Sequence, residues 1–162
     1  MQYSCTSPGS PVVALLQADP AAKVALMGDF NGFAWENAQT QLTDRARGGM
    51  FTDLATLLPT EERYSYMFQG NSQQLDHILV TDGLVPGARY DAVHINSEFA
   101  GNRPTDHDPQ LTLLRMDGAP VPQAAAFDHV SQAAFGADTG HDLMPQLVSS
   151  SPLISDLIVL VQ

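Results

Sequence analysis

The chain has 162 residues, enough for one domain or for one domain with a tail, and 44% of them are hydrophobic and can supply a core. No apolar run reaches the length that spans a membrane. The 18 Asp and Glu against 7 Lys and Arg argue against tight, charge-driven binding to nucleic acid, but they do not exclude an enzyme that acts on phosphates at a metal site.

The chain begins with a polar segment, which is followed by a predicted helix and a predicted strand. Residues 1–11 carry two prolines, lack the pattern of a signal peptide and predict a disordered leader. Cys5 is the only cysteine, so no disulfide can form within the chain. Apolar residues at helical spacing predict a helix over residues 12–18, and the apolar run 24–27 predicts a fully buried strand that ends at Gly28.

Further elements are predicted up to residue 116. They are helices over residues 34–42, with Trp35 on an apolar face, and 50–58, a hairpin of strands over 64–68 and 75–81, and strands over 88–95 and 110–116. Residues 117–128 are rich in Pro and Ala and predict a linker, and residues 152–161 predict a strand or a tail. Asp128-His129 and His141-Asp142 have the composition of metal-ligand pairs, but no predicted element brings them together.

Three polar clusters lie at strand ends or inside apolar runs. They are Asp29 with Asn31, Asp76 with His77, and Asp106 with His107. A carboxylate inside an apolar run needs a partner, because burying it unpaired is costly. If the fold brings the three acidic side chains together, each raises the pKa of the others unless a cation neutralises them. Oxygen ligands with one imidazole nearby favour a hard divalent ion such as Mg²⁺ over zinc.

Each cluster also has a purely structural interpretation. Asp29 after a glycine is typical of a turn, and Asp76 can simply bind a backbone amide. His107 in a polar loop is typical of a surface histidine, whereas His77 and His94 are expected to be packed rather than catalytic. The spacing alone therefore leaves the turn, the packed histidine and the reactive site open.

Taken together and in order, three motifs resemble the second half of the endonuclease/exonuclease/phosphatase superfamily. These motifs are Gly28-Asp29-Phe30-Asn31, Leu75-Asp76-His77-Ile78-Leu79 and Thr105-Asp106-His107-Asp108-Pro109. Two further segments resemble the bacterial extracellular nucleases in particular, namely Tyr64-Ser65-Tyr66 and His94-Ile95-Asn96. The resemblance covers about residues 12–116.

The resemblance implies an α/β fold that is part of a four-layered α/β sandwich, in which two packed mixed sheets are flanked by helices and the N-terminal half is missing. Residues 12–116 would be the C-terminal half of the catalytic domain, after a disordered leader over 1–11 and before a linker and tail of unknown role over 117–162. The implied protein is a Mg²⁺-dependent endonuclease or phosphodiesterase that hydrolyses a nucleic acid, with DNA the expected substrate. Its parent would be secreted or extracellular in bacteria.

The same resemblance implies a role for each site residue. Asp29 would position or activate the attacking water, Asn31 would contact the phosphate, and Asp76 would orient His107. His107 would act as general base or stabilise the transition state. Asp106, together with Asp29, would hold the metal, for which Mg²⁺ is expected and Mn²⁺ or Ca²⁺ are alternatives.

Two departures from the family pattern limit these expectations. Thr105 stands where the family usually has Ser, and the first half of the family domain has no counterpart here. A fragment of this kind is expected to be weak or inactive alone. One alternative is a phosphomonoesterase or sphingomyelinase-type phosphodiesterase of the same superfamily, and another is a non-catalytic remnant that acts as a binding module.

Overall fold

A computed structural model describes residues 10–99, 101, 103–117 and 156–161 of the chain. The described elements are helices α1 (Pro11–Ala18) and α2 (Asn37–Thr43), strands β1 (Ala25–Asp29), β2 (Phe51–Asp53), β3 (Tyr66–Phe68), β4 (Asn71–Gln73), β5 (Asp76–Thr81), β6 (Arg89–Ala92), β7 (Gln110–Arg115) and β8 (Asp156–Val161), and short 3₁₀ helices at Arg45–Arg47, Leu54–Leu57, Thr60–Glu62 and Val85–Gly87. Within these ranges, no helix combines the length and the apolar composition needed to cross a membrane.

Strand β5 is the centre of the first sheet and has antiparallel neighbours, β1 and β2, on its two sides. All six of its residues are buried, because its side chains alternate between two cores. Ile78 and Val80 lie in one apolar cluster with Leu114 of β7, and Leu79 lies in another with Phe51 of β2. Burying each such side chain contributes about 1.5–3 kcal/mol, so β5 anchors the molecule.

The other strands form a hairpin and a second three-stranded sheet. In the hairpin, β3 and β4 are joined by Gln69 and Gly70, whose φ angles of 51° and 82° suit the two-residue turns that match strand twist. In the second large sheet, β7 pairs antiparallel with β6 on one side and with β8 on the other. This sheet packs against the first one through the cluster that contains Val80 and Leu114.

Several predicted elements are confirmed. Helix α1 begins at Pro11, after Ser10, whose Oγ accepts a hydrogen bond from the Val12 amide at 3.3 Å. The predicted strands over residues 24–27, 88–95 and 110–116 correspond to β1, β6 and β7 with shifted ends. The stretch 152–161 contains a strand, β8, rather than an incidental tail. Strand β1 is only partly buried, however, because it lies at the edge of its sheet.

Two local predictions are wrong. Residues 50–58 do not form one helix: Phe51 pairs with Thr81 in the sheet, and the Asp53 carboxylate then accepts the Ala55 amide at 3.0 Å and starts a 3₁₀ turn. A short apolar run fits strand and helix equally well, and here the sheet partner decides. The expected hairpin is also different, because β3 pairs with β4 while β5 pairs with β1 and β2.

The predicted four-layered α/β sandwich is wrong. Every strand pairing among the described residues is antiparallel, so mixed sheets are not observed there. The two α-helices have only 8 and 7 residues, and α1 buries none of its residues. Helices this short cannot cover the faces of two sheets. The described chain is mostly small β-sheets with few helices.

The domain bounds stay predictions. The leader over residues 1–11 and the linker and tail over 117–162 lie mostly outside the described residues, as do the pairs Asp128-His129 and His141-Asp142.

Candidate functional site

Asp29, Asp76 and His107 lie together at one end of the first sheet. Asp29 ends β1 and Asp76 begins β5, and the antiparallel register sets these two residues directly opposite each other. His107 comes from the loop before β7 and forms a backbone bridge with Tyr66. One potential ligand atom from each of the three side chains lies within 4.8 Å of the others. We call these three residues the acid–imidazole cluster.

Asp76 holds this cluster together through its hydrogen bonds. Its Oδ2 accepts the Ser65 hydroxyl at 2.5 Å and lies 2.7 Å from Nδ1 of His107. The carboxylate is nearly fully buried, and the Tyr66 ring lies against the imidazole with centroids 4.8 Å apart. A carboxylate on Nδ1 fixes the tautomer and the orientation of the ring. The arrangement is therefore an oriented imidazole beside an exposed carboxylate, that of Asp29.

The other two predicted site residues are placed differently. Asn31 adopts a left-handed φ of 48°, and its backbone and side-chain amides donate to the Asp29 carboxylate at 2.8 and 3.1 Å. Asn31 thus orients Asp29. Asp106 is exposed, and among the described residues the group of side chains that could share a metal does not include it. The roles predicted for all five side chains stay predictions.

A second acid–imidazole pair, which sequence reasoning missed, lies deeper in the same sheet. His77 is fully buried; its Nδ1 lies 2.7 Å from Asp53 Oδ2, and its Nε2 lies 2.9 Å from the Gly32 carbonyl oxygen. Gln74 Nε2 lies 3.1 Å from the same Nδ1 but donates to Asp53 Oδ2 at 2.9 Å. Each ring nitrogen therefore has an acceptor beside it, and this pocket suits a doubly protonated ring. Burial alone would lower the pKa of His77, but the hydrogen bond and charge of Asp53 and the Gly32 carbonyl outweigh it and raise the pKa.

Asp108 organises the loop between β6 and β7. Its Oδ1 accepts the amides of Ile95, Asn96 and Ser97 at 3.1, 2.7 and 2.8 Å, and its Oδ2 accepts the Ser97 hydroxyl at 2.5 Å and faces His94 Nδ1 at 3.0 Å. Burial alone would raise the pKa of Asp108, but the hydrogen bonds from Ser97, His94 and Asn96 lower it. The residue is thus a buried anchor for that loop, and its lowered pKa favours the ionised form.

Two aromatic side chains stack on each other before α2 and leave the indole of Trp35 mostly exposed. The rings of Phe33 and Trp35 are stacked, with centroids 4.6 Å apart and planes within 3°, and Trp35 is 75% exposed. A tryptophan that leaves most of its surface in water is a feature of binding sites, because its ring gains much when it is covered. We call this pair the aromatic platform. The predicted burial of Trp35 on a helix face is not observed, since α2 begins only at Asn37.

A cleft of about 370 Å³ is lined by Ala34, the residue between Phe33 and Trp35 in the sequence. Its other lining residues include Gln39, Arg45, Asp53, Arg63 and Gln74, and we call it the β2 cleft. Gln39 is only 3% exposed, and its Oε1 has no hydrogen-bond partner within the described part of the chain. An unpaired buried carbonyl oxygen costs about 1–3 kcal/mol. The cleft is therefore lined by charged groups and by an amide side chain whose oxygen is buried and unpaired.

A known protein family matches the part of the chain that contains the aromatic platform. Residues 4–92 match the family described as Carbohydrate-binding module 48 (Isoamylase N-terminal domain), a segment that contains the aromatic platform and most of the described strands. No curated protein and no solved structure matched the chain.

This match overturns the assignment made from short motifs. The chain is not a member of the endonuclease/exonuclease/phosphatase superfamily, and the expected Mg²⁺-dependent nuclease or phosphodiesterase activity and the expected nucleic-acid substrate are wrong. The phosphomonoesterase and sphingomyelinase alternatives came from the same superfamily and are dropped with it. The alternative of a binding module fits better, although its ligand class is carbohydrate. The small antiparallel sheets are consistent with the β-sandwich of such a module. Secretion was expected from that resemblance alone and stays a prediction.

Proposed function

The chain belongs to the carbohydrate-binding module 48 family, and we propose from this premise that it binds a glycan without acting on it chemically, on the aromatic platform and in the adjoining β2 cleft. The exposed Phe33–Trp35 stack is the observation that carries the choice of site. A sugar ring presents C–H groups on one face, and these pack on the electron-rich face of an aromatic ring. Because Phe33 stacks on one face of the indole, the flat surface open to a sugar is the opposite face of Trp35.

The β2 cleft supplies the polar part of such a site. Small-molecule sites combine apolar surface with a few placed polar groups, and the cleft brings amide and guanidinium groups next to the platform. A larger cleft of about 420 Å³ lies at His94, Phe99 and Arg103, but these residues lie beyond the matched segment. The platform and the β2 cleft are therefore preferred.

Trp35→Ala is expected to weaken glycan binding by at least about tenfold, since buried tryptophans at interfaces commonly contribute about 2 kcal/mol or more. Trp35→Phe should retain part of the affinity because it keeps a flat ring. Affinity electrophoresis with glycogen, cellulose and chitin in the gel measures the effect and identifies the class of polymer. Phe68→Ala is the matched control, since Phe68 is also an exposed aromatic residue, 49% accessible, but lies on the β3–β4 hairpin.

Two results would contradict this proposal. One is equal binding of all polymers by the wild type, Trp35→Ala and Phe68→Ala. The other is hydrolysis of a phosphodiester by the purified chain that His107→Ala abolishes, because a non-catalytic module has no such activity.

A divalent cation at the acid–imidazole cluster is a separate proposal. Two carboxylates and an imidazole whose donor atoms lie within 4.8 Å of one another form part of a ligand set for Mg²⁺, Mn²⁺ or Ca²⁺, with water supplying the other positions. The Asp29 carboxylate is exposed and its bonds come from Asn31, so its oxygens retain free lone pairs. The cation would offset the repulsion between Asp29 and Asp76.

A cation at about ten times its Kd should raise the free energy of unfolding by about 1.4 kcal/mol and the Tm by about 3–6 °C. Thermal denaturation with and without Mg²⁺, Mn²⁺ or Ca²⁺ measures this shift. Asp29→Asn should abolish it, whereas Glu61→Gln removes one exposed carboxylate elsewhere and should leave it unchanged. Asp106→Asn reports whether that residue also holds the ion. An equal shift in Asp29→Asn and wild type would rule the site out.

A further inference from the structure

We infer that the β2 cleft binds an acidic substituent, a phosphate or a carboxylate, of the glycan on the aromatic platform, and that Arg63 is its partner. The inference rests on the proposed glycan binding and narrows the ligand to an acidic saccharide. Its basis is the distribution of charge and hydrogen bonds in the cleft.

The charges that line the cleft leave one guanidinium group without a carboxylate. Arg45 forms an ion pair with Asp82 at 2.5 Å, and Asp53 forms one with His77 at 2.7 Å. Arg63 instead donates from Nε to the Leu58 carbonyl at 2.8 Å and from Nη2 to the Thr56 carbonyl at 3.1 Å, and no ion pair involves it in the described ranges. These two bonds fix the guanidinium plane without neutralising its charge.

This arrangement is unusual for such an acidic chain. The sequence has 18 Asp and Glu against 7 Lys and Arg, yet two of those seven cations line this one cleft. A planar guanidinium held in place matches the paired oxygens of a carboxylate or a phosphate. The positive charge at Arg63 therefore favours an oxyanion locally, although the chain as a whole repels one.

The uncharged lining of the cleft indicates that the oxyanion belongs to a saccharide. Gln39 is nine-tenths buried or more at the cleft wall, and its Oε1 lacks a donor. This oxygen is itself buried from solvent, so a sugar hydroxyl can pair with it only after the side chain turns toward the cleft, and a free inorganic anion has no comparable set of hydroxyl groups. Ala34 lines the cleft and lies between Phe33 and Trp35 in the sequence, so a saccharide held on the indole is expected to place a substituent at the cleft.

The test compares three forms of one polymer. Glycogen from a single batch is used unmodified, carboxymethylated or phosphorylated, and Kd values are measured at about 0.15 M salt, where the Debye length is about 8 Å. We expect wild type to bind at least one acidic form about fivefold or more tighter than the unmodified form. The tighter of the two acidic forms identifies the oxyanion.

Matched variants locate the effect. Arg63→Gln should remove the preference for the acidic form and leave the affinity for unmodified glycogen unchanged, whereas Arg63→Lys keeps the charge but not the planar fork and should keep only part of the preference. Arg47→Gln makes the same change in net charge at an exposed residue that pairs with Asp44, outside the cleft, and should keep the preference in full. If Arg63→Gln does not fold, salt dependence in the wild type decides instead. If the cleft binds the oxyanion specifically, the preference of wild type for the acidic form falls as the salt concentration rises. If the acidic chain only repels acidic polymers, its affinity for the acidic form increases as the salt concentration rises.

The inference is overturned if wild type prefers unmodified glycogen, or if Arg47→Gln and Arg63→Gln lower the preference equally. These results differ from a failure of the proposed function, in which Trp35→Ala leaves the binding of all three polymers unchanged.

Discussion

Asp53→Ala is expected to lower the free energy of unfolding by about 3–5 kcal/mol, because it leaves the fully buried His77 without its carboxylate partner. The variant also loses the acceptor for the Ala55 amide that begins the 3₁₀ turn after β2. Urea denaturation followed by circular dichroism measures the loss. Asp82→Ala is the control, since it breaks an exposed ion pair with Arg45, which is expected to cost about 1 kcal/mol or less.

The same pair makes stability depend on pH in a defined direction. The folded-state pKa of His77 is raised above its ordinary value of about 6.5, so protonated His77 stabilises the fold. This contribution is complete below about pH 6.5 and is lost as the pH rises through the folded-state pKa. The free energy of unfolding of the wild type should therefore fall on the alkaline side of about pH 6.5.

Asp53→Asn separates charge from packing in this pair. The amide keeps the size of the side chain and can donate to Nδ1 of a neutral His77, whose Nε2 proton still reaches the Gly32 carbonyl. We expect a smaller loss of stability than for Asp53→Ala and a flatter pH profile above about pH 6.5. An unchanged alkaline decline in Asp53→Asn would show that His77 is not its cause.

Asp108→Ala is expected to cost at least about 3 kcal/mol, because it leaves three backbone amides in the loop before β7 without their acceptor. The pKa of Asp108 is lowered in the folded state, so its contribution is present above its unfolded-state pKa of about 3.9 and is lost as the pH falls through the folded-state value. Acid denaturation of the wild type and urea denaturation of the variant measure these effects.

Asp106→Asn is the control for this loop. Asp106 lies two residues away and is exposed, so its replacement should change stability by no more than about 0.5 kcal/mol. Asp108→Asn should lie between the two, since its Oδ1 can still accept the three amides. If Asp108→Ala were as stable as Asp106→Asn, the loop would not depend on this carboxylate.

Most of the polar side chains that lie together could be predicted from the sequence. The strand pairing that brings them together could not. The resemblance of the three motifs predicts that Asp29, Asp76, Asp106 and His107 share one site. The structure brings Asp29, Asp76 and His107 together, whereas Asp106 is not part of that group of described residues. The mixed sheets that the resemblance implies are not what brings them together. In fact β5 runs antiparallel to β1, so the end of one strand faces the beginning of the other. Strand direction depends on long-range pairing that local pattern does not contain.

The features that bear on the proposed function could not be predicted from local pattern at all. Trp35 has helical spacing with Leu42 and was expected on a packed face, but the helix begins two residues later and the ring stays in water. Asp53 lies in an apolar run that favours a helix, and only its pairing in β2 directs it to His77. Exposure and pairing are tertiary properties, whereas short motifs such as Gly28-Asp29 recur in unrelated folds.

The position of β8 has a consequence for how the protein is made. Its six residues pair with β7 from Gln110↔Val161 to Arg115↔Asp156, so the partner of β7 is separated from it by residues 116–155. A ribosome adds about 5–20 residues per second, and β7 emerges seconds before the strand that covers its open edge. During that interval the nascent chain presents unpaired backbone groups to other chains. The sheet of β6, β7 and β8 is therefore completed last, and the time to finish translation limits its assembly.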